Sequence, residues 1–509
     1  MTSSINNISF NQDYSCVTVA TSKDRKIFNC DPFGQFYNSE DTKDIDGTKG
    51  SIDSKSDDKG TENKAKPTSF LKMLFSTSLA IIVPWNAEGG RLLKIYNMKQ
   101  KLKICELQFP SKIIEVKLNR KRLCVIVDNG QIYIYDLSCV RLMKVLQMCL
   151  SSEGGHHKAK NTFVGEIGSH DRSLLVIPMA MVSDQTDLFN SQEEIGASEA
   201  GQGKNRLIDP LVDWLATPDH KKEITLDDFK KECQGWILVF DTIQLKPVLI
   251  YKAHSSPITK ISIAGDNTKI ATASSKGTIV RVFNLEPLHT SREEGALSKE
   301  YRITDITELR RGHHLAQINA LSFSLDGNLL GCASVSHTIH LFSLLPLQES
   351  NEDKAPSDTE DSRSLEDLNE NLANLLISKP PEQLNQNDSS YKRYITSFSR
   401  KFGPSSKLLN NSYTKSFVHK LPYKDYFQNL IWHPPRRSFA YIRFPEDYAP
   451  SRLEIGFSSN ADSSFPGIIY VASYQTGYFY HYKVPMPTTQ TDPNEQRKEC
   501  PLIARFSLC

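Results

Sequence analysis

The residues with the strongest chemical character in this 509-residue sequence are Leu309-Arg310-Arg311-Gly312, two adjacent guanidinium groups followed by a glycine. In an extended strand, neighbouring side chains point to opposite faces, so the pair delivers one guanidinium to each of two places rather than two to a single anion. Each is a planar fork suited to phosphate oxygens, and Gly312 lets a backbone approach closely. A solvated edge pair or ordinary salt bridges is the plainer reading of a bare Arg-Arg. The neighbourhood favours an anion: six of the thirteen histidines (254, 289, 313, 314, 337 and 340), Lys276, Arg281 and the hydroxyl-rich ATASSKGT (271 to 278) lie close in sequence. Catalytic arrangements are missing, with no GxSxG elbow, no Walker P-loop, no HExxH and no GxGxxG on a strand-to-helix turn, so no enzyme and no cofactor is expected. The ten cysteines are scattered without CxxC or zinc-finger spacing. They read as reduced core thiols, with no metal site.

The elements that must position these residues are strands. Short β-branched runs separated by turn residues recur from end to end, among them SCVTVATS (15 to 22), SLAIIVPW (78 to 85), RLCVIVDNGQIYIYDL (122 to 137), GWILVFDT (235 to 242) and GIIYVASYQTGYFYHYKV (467 to 484). The Asp-Asn-Gly at 128 to 130 is a hairpin signal. AHSSPITKISIAGDNTKIATASSKGTIVRVFNL (253 to 285) and GHHLAQINALSFSLDGNLLGCASVSHTIHLFSL (312 to 344) share a leading His, an apolar strand ending in Ser, an Asp-containing turn, an Ala-Ser pair and a closing Phe strand. That is the grammar of a WD-type propeller blade, which cannot bury its faces alone and must stack around a ring. The expected fold is all-β, a single seven-bladed β-propeller over 1-509. Its blades are expected at about 5 to 36, 68 to 108, 111 to 148, 163 to 250, 253 to 300, 314 to 445 and 452 to 509.

With 61 Lys+Arg against 59 Asp+Glu, the balance argues against a uniformly basic nucleic-acid coat or a wholly acidic chain. At 39% hydrophobic, the core is diluted by polar inserts. Residues 38-66 read as a disordered insert and 183-232 as a polar one, with LIDPLVDWL (207 to 215) a short helix. The insert at 345-437 is the most informative. Its stretch 351 to 370 holds eight acidic residues against Lys354 and Arg363, and Leu365, Leu368, Leu372, Leu375 and Leu376 then fall at helical spacing before Pro380-Pro381. Tyr391 to Lys424 has eight Lys and Arg, no acid and seven aromatics, including Tyr394, Phe398, Arg400, Lys401, Phe402 and Phe417. Such a segment suits an anionic membrane interface, with rings at headgroup depth and about 1 kcal/mol per cation near the surface. A disordered basic linker or nucleic-acid arm is the competing reading. The start MTSSINNISF lacks a signal-peptide pattern, and no run reaches 18 apolar residues, so a soluble, non-secreted chain is expected.

The order AHSSPI, ATASSKGTIVRVF, LRRG and CASVSHTIHLF, with FNCDPFG (28 to 34) and MLFSTSLAIIV (73 to 83), closely resembles the PROPPINs, β-propellers that bind polyphosphoinositides. The resemblance covers most of the strand framework but not the polar inserts. It implies two rim pockets for phosphatidylinositol 3-phosphate and 3,5-bisphosphate, recruitment of autophagy proteins, and 345-437 as the membrane-contacting loop of the sixth blade. Carried over by position, Arg310 serves the first pocket with His254, Ser274, Lys276, Thr278 and Arg281. Arg311 serves the second with Ser334, Ser336, Thr338 and His340. Leu309 departs from the family's Phe and is expected to pack inward, while Val335 and His337 are also unusual. His254 and His340 have structural readings as well, Ser274 and Thr278 could satisfy turn backbone groups, and Arg281 could pair with a neighbouring blade. The implied location is cytoplasmic and peripheral on phagophore, endosomal and vacuolar membranes, as a monomer, with no nucleic acid expected. The alternative is a generic WD-repeat protein-interaction scaffold without specific lipid binding. The acidic stretch is expected to fold back on the basic one in solution. Deleting 351 to 378 should then strengthen liposome sedimentation, and no gain would sink the fold-back reading.

Overall fold

The computed structural model describes residues 4–39, 67–85, 89–148, 163–179, 234–288, 300–336, 338–345, 435–444, 452–458, 467–486 and 497–509. They form seven sheets in chain order, antiparallel except for two short parallel edge strands, and, among the described residues, no α-helix. Blade 1 holds β1 to β4 (Ile5–Phe10, Cys16–Thr21, Arg25–Asn29, Gly34–Asn38), and blade 2 holds β5 to β8 (Thr68–Met73, Leu79–Pro84, Leu92–Asn97, Leu102–Gln108). Blade 3 is β9 to β12 (Ile113–Leu118, Arg122–Val127, Gln131–Asp136, Arg141–Gln147), and blade 4 is β13 to β16 (Glu166–Ile167, Leu174–Pro178, Trp236–Asp241, Lys246–Lys252). Blade 5 has β17 to β20 (Ile258–Ile263, Lys269–Ser274, Ile279–Pro287, Tyr301–Arg310). Blade 6 begins with β21 to β23 (Ile318–Phe323, Leu329–Ser334, Thr338–Ser343). The chain then adds β24 (Arg436–Arg437) to the edge of blade 5 before returning to blade 6 as β25 (Ala440–Arg443). Blade 7 is β26 to β28 (Leu453–Phe457, Ile468–Ser473, Tyr478–Lys483) closed by β30 (Leu502–Ser507), while β29 (Lys498–Glu499) edges blade 6.

The seven blades are those expected, with differences at their edges. Blade 5 extends past 300 through β20, whose sequence YRITDITELR is too polar to advertise a strand yet pairs with β19 along its whole length. The insert boundary expected at 38 falls inside β4, and that expected at 437 falls inside sheet 5, because Arg436 and Arg437 are paired. The rest of 38-66, the stretch 183-232 and nearly all of 345-437 lie outside the described residues, the short helices and the aromatic-basic segment with them.

Each blade is apolar on both faces, so its middle strands read as unbroken buried runs, as in β2, β10 and β22. Seven hydrophobic clusters result, one at every blade-to-blade junction. Strand alternation sorts the side chains: Cys124 and Ile126 pack toward blade 4, and Leu123, Val125 and Val127 toward blade 2. The two repeat copies share register, with Ile258 opposite Ser274 and Ile318 opposite Ser334, each followed by the same irregularity. Their Asp turns also match: the carboxylate of Asp266 accepts from the Thr268 amide at 2.9 Å, and that of Asp326 from the Asn328 amide at 3.1 Å.

Among the described residues no strand is exchanged between the first and last blades, and side chains close the ring: the Tyr474 hydroxyl of blade 7 accepts from the Ile8 amide of blade 1 at 2.9 Å and donates to the Ile8 carbonyl at 2.8 Å. Phe33 of blade 1 stacks on Phe506 at 4.2 Å and on Phe479 at 5.3 Å. The β1–β2 turn adds polar ties across the ends of the inner strands. Gln12 Nε2 donates to the carbonyls of Met73 at 3.3 Å and Leu118 at 3.1 Å, in blades 2 and 3, and its Oε1 accepts from the Phe75 amide at 2.6 Å. Tyr14 reaches the other way, its hydroxyl donating to the Phe323 carbonyl at 2.8 Å and lying 2.7 Å from Ser322 Oγ, in blade 6, with its ring against Phe457 of blade 7. Burial pushes the Tyr14 phenol up to about 12, so it stays a donor. Tyr14→Phe should lower stability by about 1–3 kcal/mol, the cost of leaving buried partners unsatisfied. A fall in urea midpoint with unchanged slope is the expected readout; an unchanged midpoint would show the tie is idle.

Candidate functional site

The arginine pair ends β20, and alternation there does what the sequence implied. Leu309 is fully buried in the cluster between blades 5 and 6, as expected for the residue in the family's Phe position. Glu308 lies opposite Arg281 on the other face, which packs toward blade 4. Arg310 therefore faces the blade 4 side and Arg311 the blade 6 side.

On the blade 4 side, β18 and β19 supply Thr272, Ser274 and Arg281. Arg281 is braced rather than loose: Nε donates to Glu308 Oε1 at 2.8 Å and Nη1 to the Ala253 carbonyl at 2.9 Å. Its Nη1 also lies 3.2 Å from His254 Nδ1. A guanidinium can only donate, so Nδ1 accepts, and Nε2–H donates to Thr272 Oγ1 at 2.9 Å. His254 is 3% exposed, and burial, then the charge of Arg281, drives its pKa down to about 3. It is a neutral strut that holds Arg281. Arg281 pairs with Glu308 of its own blade. Ser274 is buried, Lys276 is exposed on the β18–β19 turn, and Arg310 Nη1 sits 3.4 Å from His313 Nδ1.

On the blade 6 side four of the five predicted residues, Arg311, Ser336, Thr338 and His340, line one open cleft of about 640 Å³ together with His313 and His314. Ser334 lies beneath it, fully buried, with Oγ 2.7 Å from Ser336 Oγ. Arg311 is 6% exposed. Its Nε donates to the Gly277 carbonyl at 2.6 Å, Nη1 to Ser334 Oγ at 3.5 Å, and Nη2 to the His314 carbonyl. Burial lowers its pKa, but a guanidinium remains charged. Gly277 has φ +60° and a Cβ there would lie 1.9 Å from the Ala316 carbonyl, so only glycine lets the two turns meet. The Thr278 carbonyl accepts from the Arg311 amide at 2.9 Å, a backbone role for that residue. Among the described residues no acidic side chain lines this cleft, whereas Glu308 stands on the blade 4 side.

The sequence reading passed over several participants. Glu308 was legible, since a residue two before Arg310 in a strand shares its face. Arg436 and Arg437 were not: β24 runs parallel to β20, pairing Leu309 with Arg436 and Arg310 with Arg437, so two more guanidiniums join the strand end. Arg436 Nη1 also donates to the Leu345 carbonyl at 3.2 Å, closing the neck of the insert. Ser438 Oγ lies 3.2 Å from His340 Nδ1. Tyr394, Phe398, Arg400, Lys401, Phe402 and Phe417 lie outside the described residues. Among the described residues no cluster of His, Cys, Asp or Glu could hold a metal, and no helix is long and apolar enough to cross a membrane.

Fold and site together define a seven-bladed propeller carrying a split arginine pair on its rim. A family model described as PROPPIN matches residues 4–192 and 229–363. "Autophagy-related protein 21" of Debaryomyces hansenii is 50% identical, with 99% of each chain covered, and that of Candida albicans is 43% identical, again with 99% of each covered. Among solved structures, "Complex of KlAtg21 with coiled-coil of AgAtg16" aligns with TM-score 0.53 at 22% identity, covering 99% of this chain and all of that one. "Crystal structure of Kluyvelomyces marxianus Hsv2" gives 0.52 at 15%, covering 100% of both. These last two carry the fold. The chain belongs to the PROPPIN family, whose members here are autophagy-related proteins.

His340 gives the cleft a pH signature. Burial, then Arg497 and Arg311, lower its pKa from 6.5 to about 4. The unfolded chain takes up the proton near 6.5 and the folded chain only near 4, so its contribution is complete above 6.5 and is lost as pH falls toward 4. His340→Gln should therefore lose less stability than the wild type between those values, by about 3 kcal/mol at most. Parallel pH–stability curves would refute it.

Proposed function

We propose that the chain is a non-enzymatic effector that binds phosphatidylinositol 3-phosphate and 3,5-bisphosphate through the two clefts flanking Arg310 and Arg311, and brings autophagy proteins to the membranes carrying those lipids. The observation that carries this reading is the alternation at the end of β20, which sends one guanidinium to each side of blade 5. Arg311 commits three of its five N–H donors to described residues of the fold, which fixes the fork while leaving part of it for an anion. A cleft with hydroxyls and histidines beside a fixed arginine, and with no acidic side chain among the described residues that line it, suits a phosphomonoester. On the blade 4 side, a phosphate must share the site with Glu308, so that cleft is the weaker and its contacts come from Arg310, Lys276 and Thr278, with His254 and Arg281 as its frame. Two weak headgroup sites and the 345-437 segment acting on one bilayer would gain affinity through effective concentration. The segment's aromatic-basic half supplies the membrane contact. Phagophore, endosomal and vacuolar surfaces are the expected locations. A coiled coil of an autophagy protein is the expected kind of partner, by analogy with the complex named for KlAtg21.

Sedimentation with liposomes bearing the 3-phosphate, the 3,5-bisphosphate, the 4-phosphate or no phosphoinositide tests the proposal. Selective binding to the first two, reduced by Arg310→Thr and abolished by Arg310→Thr with Arg311→Thr, is the expected result. Arg311 ties the Gly277 and His314 carbonyls, so its replacement also loosens the loop after β20 rather than leaving the fold untouched. Melting curves recorded beside each variant separate that loss from loss of the ligand site. Binding to all vesicles or to none would leave the protein-scaffold reading standing.

A further inference from the structure

Leu315 is the most exposed large apolar side chain among the described residues, at 73%, and Val335 across the same cleft is 45% exposed. Neither is on a loose end. The Ala316 amide donates to the Lys276 carbonyl at 3.3 Å, and the Val335 amide to the Gln317 carbonyl at 3.0 Å. From beneath, Arg311 Nη2 donates to the carbonyl of His314. The crest of the 312–317 loop is thus tied to blade 5 on one side and blade 6 on the other, and Leu315 is held out of the core. Holding a leucine in water is unfavourable, so a surface that covers it gains the burial of that side chain.

We infer that Leu315 and Val335 form an apolar lip that enters the interfacial layer of the membrane whose headgroup occupies the Arg311 cleft. The inference rests on the phosphoinositide reading above and adds a contact to it. A headgroup phosphate beside Arg311 leaves the lipid's glycerol and acyl chains to exit through the cleft mouth, and the mouth is where the two side chains stand. His313, His314 and Lys276, all exposed, surround the lip with groups that suit an anionic surface. An apolar tip beside Lys276 and the Arg310 guanidinium is the pattern of an interfacial anchor. A protein partner would meet the same surface, and the experiment separates the two.

Leu315→Glu and Leu315→Trp in the full chain are compared with wild type by two measurements: binding to phosphatidylcholine–phosphatidylserine vesicles containing phosphatidylinositol 3-phosphate, and binding of the soluble headgroup inositol 1,3-bisphosphate. The lip predicts that Leu315→Glu weakens vesicle binding about tenfold and that Leu315→Trp strengthens it, with headgroup affinity unchanged within about twofold. Equal losses for vesicle and headgroup would place Leu315 in the cleft itself and overturn the proposal. So would unchanged vesicle binding by both variants, the outcome expected were the lip a protein contact. Wild type that binds neither vesicles nor headgroup would sink the phosphoinositide reading and the lip with it, whereas wild type that binds both while the variants behave alike sinks only the lip.

Discussion

A four-stranded blade with two apolar faces has no stable existence alone, and everything else in this molecule depends on closing the ring. Seven junctions bury those faces, but the last is made differently from propellers that share a strand between first and last blades. Here sheets 1 and 7 are each built from one end of the chain, and closure rests on stacked Phe33, Phe479 and Phe506 and on the Tyr474 hydroxyl bonded to the Ile8 backbone. The β1–β2 turn then adds hydrogen bonds to the inner strands of blades 2, 3 and 6 and a ring contact to blade 7. Ring closure and anchoring of the inner strands are therefore partly one event.

The cleft beside Arg311 inherits its geometry from that stacking. Because adjacent blades meet face to face, the two faces of β20 look into two different junctions, and two adjacent arginines are sent to different places. The two junctions differ in charge. Glu308 already answers Arg281 on the blade 4 side, while Arg311 is pinned by carbonyls and a hydroxyl that bring no charge of their own. The histidines follow the same division of labour, His254 bracing an arginine from within and His313 and His314 exposed at the opening of the other cleft.

Most of the framework was legible because buried strands have to be apolar in unbroken runs, and β2, β6, β10 and β22 advertise themselves. The repeat at 253 and 312 was legible down to its Asp turns. What escaped were strands whose stability comes from pairing rather than burial. β20 alternates polar residues along an outer edge, and β24 is two residues long and joins from more than a hundred residues away in sequence. The face taken by each arginine followed from alternation alone. Whether a cleft stands open did not, since that depends on carbonyls of Gly277 and His314, groups every residue carries and no composition reveals.

The contact of Arg436 with the Leu345 carbonyl pinches together the points where the long insert leaves blade 6 and rejoins the ring at the edge of blade 5. With its ends fixed by the scaffold, the closure entropy of the intervening chain grows only with the logarithm of its length, about 0.6 kcal/mol per doubling. Lengthening, shortening or recomposing the insert should be nearly neutral for the fold, which leaves this stretch free to diverge in sequence while the blades on either side stay under the tight constraint of packing.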